Sequence, residues 1–289
     1  MSNIKMFDTD SIREIKKMIY TIAFDNQKGG VAKTTTCCNT AVGLAKAGKK
    51  VLVIDLDPQG SATKAFLPNE DLEEGNAVPF VDYDKCIEDC MLDPSVTREC
   101  ISHTHFGVDI IPSTKTPDIL EKMRTDIMSV SYPVAQYRLK KVIREVRHDY
   151  DYCLIDCAPT CDMLTMNACA AANLVVAPMT PSKKSIESFA ATRKQINAAR
   201  EELDADVHWK ILITMVNRTL NDREYVKELE ELFADECFNT QIRYQSKPIT
   251  KADKHGSFVI LDTDIDSKVA SDYREFVNEL MEAKESYDL

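Results

Sequence analysis

Two lysines, two adjacent glycines and a threonine stand close together at Lys28, Gly29, Gly30, Lys33 and Thr34, with Val31 and Ala32 between them. The combination suits an anion. Glycine lets backbone N–H groups approach a phosphate and point inward at it. A helix starting near Thr34 would add further N–H donors and the positive end of its dipole. Lys33 brings a charge for terminal phosphates. Thr34, with Thr35 behind it, brings a hydroxyl suited to Mg²⁺, which takes oxygen ligands and keeps several waters. The chain has only eight glycines, so an adjacent pair at this place is not a by-product of glycine-rich composition.

Acids at two strand ends complete the chemistry. KKVLVIDLDPQGSAT reads as a buried strand ending in Asp55, with Asp57 just beyond it before Pro58 breaks the run. YDYCLIDCAPT is a second apolar run that ends in Asp156. In an α/β sheet ligands bind beyond the carboxyl ends of the strands, so these acids reach the place where the loop opens. Such an aspartate can hold Mg²⁺, directly or through water, or orient an attacking water. Taken singly, each acid reads equally well as a turn or helix cap. Their coincidence with the glycine–lysine loop makes the set chemical.

The elements that must position these residues follow from alternation. Apolar, β-rich runs cover 19–24, 51–55, 108–111, 152–156, 174–177, 211–216 and 240–242. Helical patterns lie between them at 34–47, 117–125, 134–147, 185–201 and 222–234, and an amphipathic helix closes the chain at 266–284. Continuous apolar strands alternating with helices imply a doubly wound α/β fold, a mostly parallel sheet with helices on both faces. Residues 68–83 have no clear period and read as an insertion or loop. No boundary splits the chain, so 1–18 is expected to be a short N-terminal extension and 19–289 a single P-loop domain.

The ordinary P-loop is G-x-x-x-x-G-K-[ST], and here Ala32 occupies the place of the glycine before the lysine. With its early Lys28, KGGxxKT resembles the deviant Walker A box of the ParA/MinD family of P-loop ATPases. In that family the early lysine reaches across a dimer interface to the partner's nucleotide. A second cation there would stabilise charge developing on the transferred phosphoryl group, as an arginine finger does. DLDPQGSAT and LIDCAP also resemble family segments. The resemblance implies that Asp57 positions the hydrolytic water and that Asp156 is the Walker B acid, leaving Thr34, Asp57 and Asp156 as the metal set. TMNACAAANLVVAPMTPSKKSIESF, LITMVNRTLND and ITKADKHGSFVILD continue the match in order, from about residue 19 to residue 262. DLDPQG and KxxHGxxVILD are most similar to the ParA/Soj partition branch. Asn217, in LITMVNRTLND, is the implied contact to adenine, and a loop-capping asparagine is the competing reading.

The resemblance implies a Mg²⁺-dependent ATPase that hydrolyses ATP to ADP and phosphate. It further implies a homodimer on ATP, non-specific DNA binding, and stimulation by a ParB-type centromere-binding protein. Such a chain is expected in the cytoplasm, associated with the nucleoid when ATP-bound. A DNA surface needs clustered cations. RYQSKPITKADKHG supplies Arg243, Lys247, Lys251 and Lys254, while Arg218 and Arg223 lie on another loop. Such runs are also the ordinary composition of a solvated face.

Composition limits the other readings. The 289 residues carry a net charge of −11, which disfavours indiscriminate nucleic-acid binding but leaves room for a local basic patch. No apolar run approaches the roughly 20 residues needed to cross a bilayer, and residues 1–17 lack a signal-peptide core. The eighteen residues before the first strand are too few for a helix-turn-helix. A MinD-like membrane-cycling ATPase would end in a basic amphipathic helix. Here Val269, Ala270, Tyr273, Phe276, Val277 and Leu280 form an apolar face whose polar counterpart is mainly acidic, so core packing is expected and no membrane partner. An iron–sulfur carrier or reductase-like ATPase would rest on Cys161 and the spacing of Cys153, Cys157 and Cys161. The ten cysteines mostly sit in apolar runs, where they behave as small hydrophobes. A degenerate, non-hydrolysing scaffold would rest on Ala32 alone.

Overall fold

Continuous apolar strands need cover on both faces, and the computed structural model shows it. It describes residues 18–67, 84–113 and 134–287. Residues 1–17 of the expected 1–18 extension, the insertion 68–83 and the helix 117–125 lie outside these. In chain order the elements are β1 (Tyr20–Phe24), α1 (Lys33–Lys46), β2 (Val51–Asp55), α2 (Ser61–Phe66), α3 (Ile87–Leu92), β3 (Ser102–His103), β4 (Val108–Ile111), α4 (Arg138–Glu145), β5 (Tyr152–Asp156), α5 (Met163–Ala171), β6 (Leu174–Met179), α6 (Lys183–Leu203), β7 (His208–Val216), α7 (Leu220–Phe233), β8 (Cys237–Arg243), α8 (Ser246–Lys254) and α9 (Lys268–Tyr287).

The described strands form one sheet in the order β3-β4-β2-β5-β1-β6-β7-β8. Every pairing is parallel except β3 with β4. Side chains alternate as strand geometry requires. In β1, Tyr20, Ile22 and Phe24 join one core and Ala23 the other; in β5, Tyr152 and Leu154 separate from Cys153 and Ile155 in the same way. One core holds α1 and α9, the other α4, α5 and α6. This is the doubly wound arrangement with helices on both faces.

In α1 three threonines, weak helix formers, follow Lys33, and the helix is held by packing. Thr36, Cys37, Thr40, Ala41 and Leu44 are buried. A Cβ on Gly43 would meet Ile260 at 2.6 Å and Val277 at 2.7 Å, so only glycine lets α9 press so closely on α1. Every residue of the expected apolar face of α9, from Val269 to Leu280, is buried against this layer. At about 2 kcal/mol for each large side chain removed from water, core packing accounts for that face.

Several expected elements change length. The 240–242 strand runs from Cys237 to Arg243, the strand at 211–216 begins at His208, and the helix expected at 134–147 opens with a 3₁₀ turn, Val134–Tyr137. α2, α3, β3, α5 and α8 have no counterpart among the expected elements. They are short, and α8 buries no residue fully, so it leaves no apolar period to read. α5 does carry a signal: Asp162 and Thr165 form a reciprocal capping box at its start.

Candidate nucleotide site

The strand order β2-β5-β1 sets the chemistry side by side. Across the parallel pairs Asp55 stands opposite Asp156, and Asp156 opposite Phe24, the last residue of β1 before the chain enters the lysine loop. The carboxyl ends of three neighbouring strands, each about 4.8 Å from the next, thus deliver two acids and the loop to one edge.

The loop is open. Gly30 (φ 73°) and Ala32 (φ 64°) both take the left-handed conformation. That region costs an L-residue about 1–2 kcal/mol, so Ala32 holds a strained backbone where the P-loop pattern has glycine. Ala32 is also the N-cap of α1 and offers no side-chain cap, leaving the first-turn N–H groups without helix partners. Lys33 is nearly buried and folds back, its Nζ donating to the carbonyls of Asn26 (2.9 Å) and Lys28 (3.3 Å). The Nζ of Lys28 donates to three hydroxyls: Thr180 Oγ1 (3.1 Å), Ser182 Oγ (3.1 Å) and Ser185 Oγ (2.9 Å). No carboxylate is among them, and burial with the nearby Lys184 charge lowers the Lys28 pKa.

The acids divide by role. Asp55 is fully buried and fully engaged: Oδ1 accepts from Asp57 N (3.1 Å), and Oδ2 from both Thr63 N and Thr63 Oγ1 (2.7 Å each). Burial pushes its pKa up to about 6 against those bonds. Asp55 therefore anchors the segment that presents Asp57, a role the sequence left unassigned. Asp57 keeps 9% exposure, and its Oδ1 accepts from Gln59 N at 2.9 Å. Asp156 is fully buried, and neither oxygen makes a hydrogen bond of normal geometry among the described residues. Burial and then the Asp55 charge raise its pKa far above the usual range, while the Thr34 hydroxyl beside it works the other way. A sealed, unsatisfied carboxylate next to a hydroxyl is the donor set a small hard cation would satisfy.

Beside the loop lies a notch of about 260 Å³, lined by Gly30, Thr35, Met215, Ile242, Tyr244 and Tyr273 among others. Ala32 and Met215, two non-glycine residues with positive φ, both face it. A larger cleft of about 380 Å³ opens on the other flank of the α1 N-terminus, toward Lys64, Asp253 and Phe258.

Asn217 is exposed, and its amide is engaged: Nδ2 donates to Asp222 Oδ2 (3.1 Å) and to Met215 O (3.2 Å), and its backbone N to Asp222 Oδ2 (2.7 Å). The geometry shown is that of a loop cap.

Three of the expected basic residues, Lys247, Lys251 and Lys254, share helix α8, and Arg218 and Arg243 lie on other elements. Lys247 and Lys254 are exposed on α8, Lys251 lies 3.5 Å from Asp262, and Arg218 is exposed before α7. Arg243, also expected on the DNA surface, is engaged within the fold. Its guanidinium grips the buried Asp272 with both Nε and a terminal nitrogen, and its backbone N bonds the same carboxylate at 2.9 Å. That arginine ties β8 to α9.

Of the cysteines in the metal-like spacing, Cys153 and Cys157 are buried and Cys161 is exposed. Among the described residues no three His, Cys, Asp or Glu side chains gather as ligands of one metal ion. No helix among them is long and apolar enough to cross a membrane.

Known proteins match this architecture. A family model described as an AAA domain matches residues 19–209. The sporulation initiation inhibitor protein Soj of Bacillus subtilis is 31% identical over 243 residues, covering 83% of this chain and 90% of its own. The chromosome partitioning protein ParA of Myxococcus xanthus is 30% identical over 262 residues, covering 90% and 87%. Among solved structures, cobyrinic acid a,c-diamide synthase of Mycobacterium smegmatis with bound ADP and magnesium superposes with a TM-score of 0.76 at 23% identity, over 93% of this chain and 96% of that one. A Cyanothece McdA variant in complex with ATP gives 0.75 at 18% identity, over 92% and 97%. At these identities the structures speak for the fold, and the sequence relatives for the family. By its lysine loop, its strand-end acids and its relatives, the chain belongs to the ParA/MinD family of P-loop ATPases, in the ParA/Soj branch.

Proposed function

We propose that the protein is a partition ATPase. It binds ATP with Mg²⁺, pairs face to face with a second copy over two nucleotides, and in that state binds DNA without sequence preference. A ParB-type partner stimulates hydrolysis to ADP and phosphate, and the DNA is released. One observation carries the reading: the uncapped N-terminus of α1, rich in anion donors, lies beside the orphaned Asp156. The names of the partition relatives support the rest.

Lys33 would exchange the Asn26 and Lys28 carbonyls for the β- and γ-phosphates. Thr34 and Asp156 would hold Mg²⁺, with Asp57 at its edge, and the metal would supply charge neutralisation for the phosphates. Asp57, presented by the anchored Asp55, orients water toward the γ-phosphate. Lys28 rests on neutral hydroxyls, so leaving them for the partner's nucleotide breaks no ion pair. The base fits the notch at Met215 and Tyr244, where Asn217 would give up Asp222 to read it. Lys247, Lys251, Lys254 and Arg218 meet DNA phosphates, and the ATP-bound protein resides on the nucleoid.

The test is binding of labelled random-sequence DNA with ATP, with ADP and without nucleotide, for the natural chain and Asp57→Ala. Salt-sensitive binding that requires ATP is expected. Asp57→Ala should keep ATP-dependent dimers and DNA binding while hydrolysis falls to background. Equal DNA binding in ADP and ATP, or normal hydrolysis by Asp57→Ala, removes the reading.

A further inference from the structure

One acid at the same sheet edge has no part in the site as described. Asp25 follows β1 directly, is fully buried, and neither of its oxygens makes a hydrogen bond of normal geometry among the described residues. An isolated carboxylate in such a place is costly, and nothing in the packing of β1 calls for it: Ala23 and Phe24 already fill the two cores.

Its surroundings are specific. Lys33 Nζ donates to the carbonyl of Asn26, the residue after Asp25, and its charge acts on the Asp25 carboxyl. The charge of Asp162, at the start of α5, acts on Asp25, and the charge of Asp25 acts on the thiols of Cys157, just after β5, and Cys169, on α5. Gln27 Nε2 and Gln195 Oε1 are likewise buried without hydrogen-bond partners among the described residues, and Gln27 N donates to Thr192 Oγ1 (3.3 Å), one turn before Gln195 on α6. Lys33 is the cation in this group.

We infer that Asp25 is a positioning residue for nucleotide binding: in its charged form it draws Lys33 down and away from the phosphates, and in its neutral form it releases Lys33 to them. The inference rests on the reading of residues 28–34 as the phosphate cradle. Burial holds the Asp25 pKa up to about 7, the Lys33 charge pulls it down, Asp162 pushes it up, and the Asn26 N–H opposes burial weakly. Below that value the carboxyl is protonated and Lys33 is fully available. Above it the carboxylate attracts Lys33 and repels the incoming phosphates. Nucleotide affinity therefore falls as pH rises through about 7. Reciprocity follows: phosphates that take Lys33 away raise the proton affinity of Asp25, so nucleotide binding takes up a proton.

The test is equilibrium binding of a fluorescent ATP analogue with Mg²⁺ to the full chain, from about pH 6 to about pH 8.5, for the natural protein and Asp25→Asn. Asn keeps the shape and removes the charge. Expected is affinity about 10-fold tighter than the natural protein at the alkaline end, within the usual range of coupling between sites, converging to within about twofold at the acid end. An affinity ratio that stays constant with pH, or a variant that binds more weakly throughout, overturns the inference. Should Asp25→Asn not fold, Asp25→Ala carries the same comparison. A second readout is proton uptake, from binding heats in two buffers of different ionisation enthalpy near pH 8. The natural protein should take up a proton that the variant does not, and equal uptake in both overturns the inference. If the natural protein binds no ATP analogue at any pH, the cradle reading fails first and this inference fails with it.

Discussion

The lysine loop at 28–34 and helix α8 both carry lysines that the proposed function assigns to phosphates, and they are built on opposite principles. The loop is held by its own contacts. Its backbone is set by two left-handed residues, Lys33 is nearly sealed against two carbonyls, and Lys28 is seated on three hydroxyls. α8 buries no residue fully and leaves Lys247 and Lys254 in water. A preset cradle suits one ligand of defined shape. A row of solvated cations supplies charge density without geometry, which suits a polymer bound wherever its phosphates pass.

The contrast breaks most visibly at Lys33. Replacing a nearly buried cation that the proposed function assigns to the phosphates should cost ATP affinity at least about 100-fold, in the range for losing a charge-assisted contact in a sealed site. Equilibrium binding of labelled ATP to Lys33→Ala reads this directly, and a loss below about threefold would put the loop on a par with α8.

Arg243 and Lys247 sharpen the comparison from the other side. They are four residues apart, and sequence alone groups them. Arg243→Ala takes the guanidinium from Asp272, whose side chain is 3% exposed, and leaves it the backbone N–H of residue 243. The expected cost is about 2 kcal/mol of stability, below the range for a wholly buried pair because the arginine itself is 41% exposed. It should appear as a lower denaturant midpoint with the salt dependence of DNA binding unchanged. Lys247→Ala should do the reverse: unchanged stability, and a salt slope reduced by about one. If the two variants exchange these signatures, Arg243 belongs to the DNA surface after all.

These residues also show what a linear reading can and cannot reach. The strands are legible because both faces are buried, which leaves continuous apolar runs in β1, β2, β5 and β6. The loop, Asp57 and Asp156 are legible because their spacing is local. Asp55 stands in plain view, but its anchoring role depends on Thr63, in a short helix with no readable period. Arg243 reads as part of a basic run because its partner lies 29 residues away. Asp25 has the same pattern as Asp55 and Asp156, an acid directly after an apolar run, yet the glycine–lysine motif beside it masks the signal. No sequence rule separates an acid that faces a ligand from one sealed beneath it; that depends on which side of the strand end the chain turns to.

The smallest expected effect tests whether the loop is truly preset. Ala32 holds φ 64° at the N-cap of α1. Ala32→Gly removes about 1–2 kcal/mol of left-handed strain and gives back about 0.4–1 kcal/mol through the freer unfolded chain. The net gain should be about 0.5 kcal/mol, seen as a small rise in the denaturant midpoint, with ATP affinity unchanged because the loop already has its binding shape. Ala32→Val is the opposing arm, since a β-branched residue is poorly tolerated at positive φ, and should lower stability by more than the glycine raises it. If glycine instead tightens ATP binding severalfold without moving the midpoint, the strained loop is a resting state that must rearrange on binding. The difference between the cradle and α8 would then be one of degree.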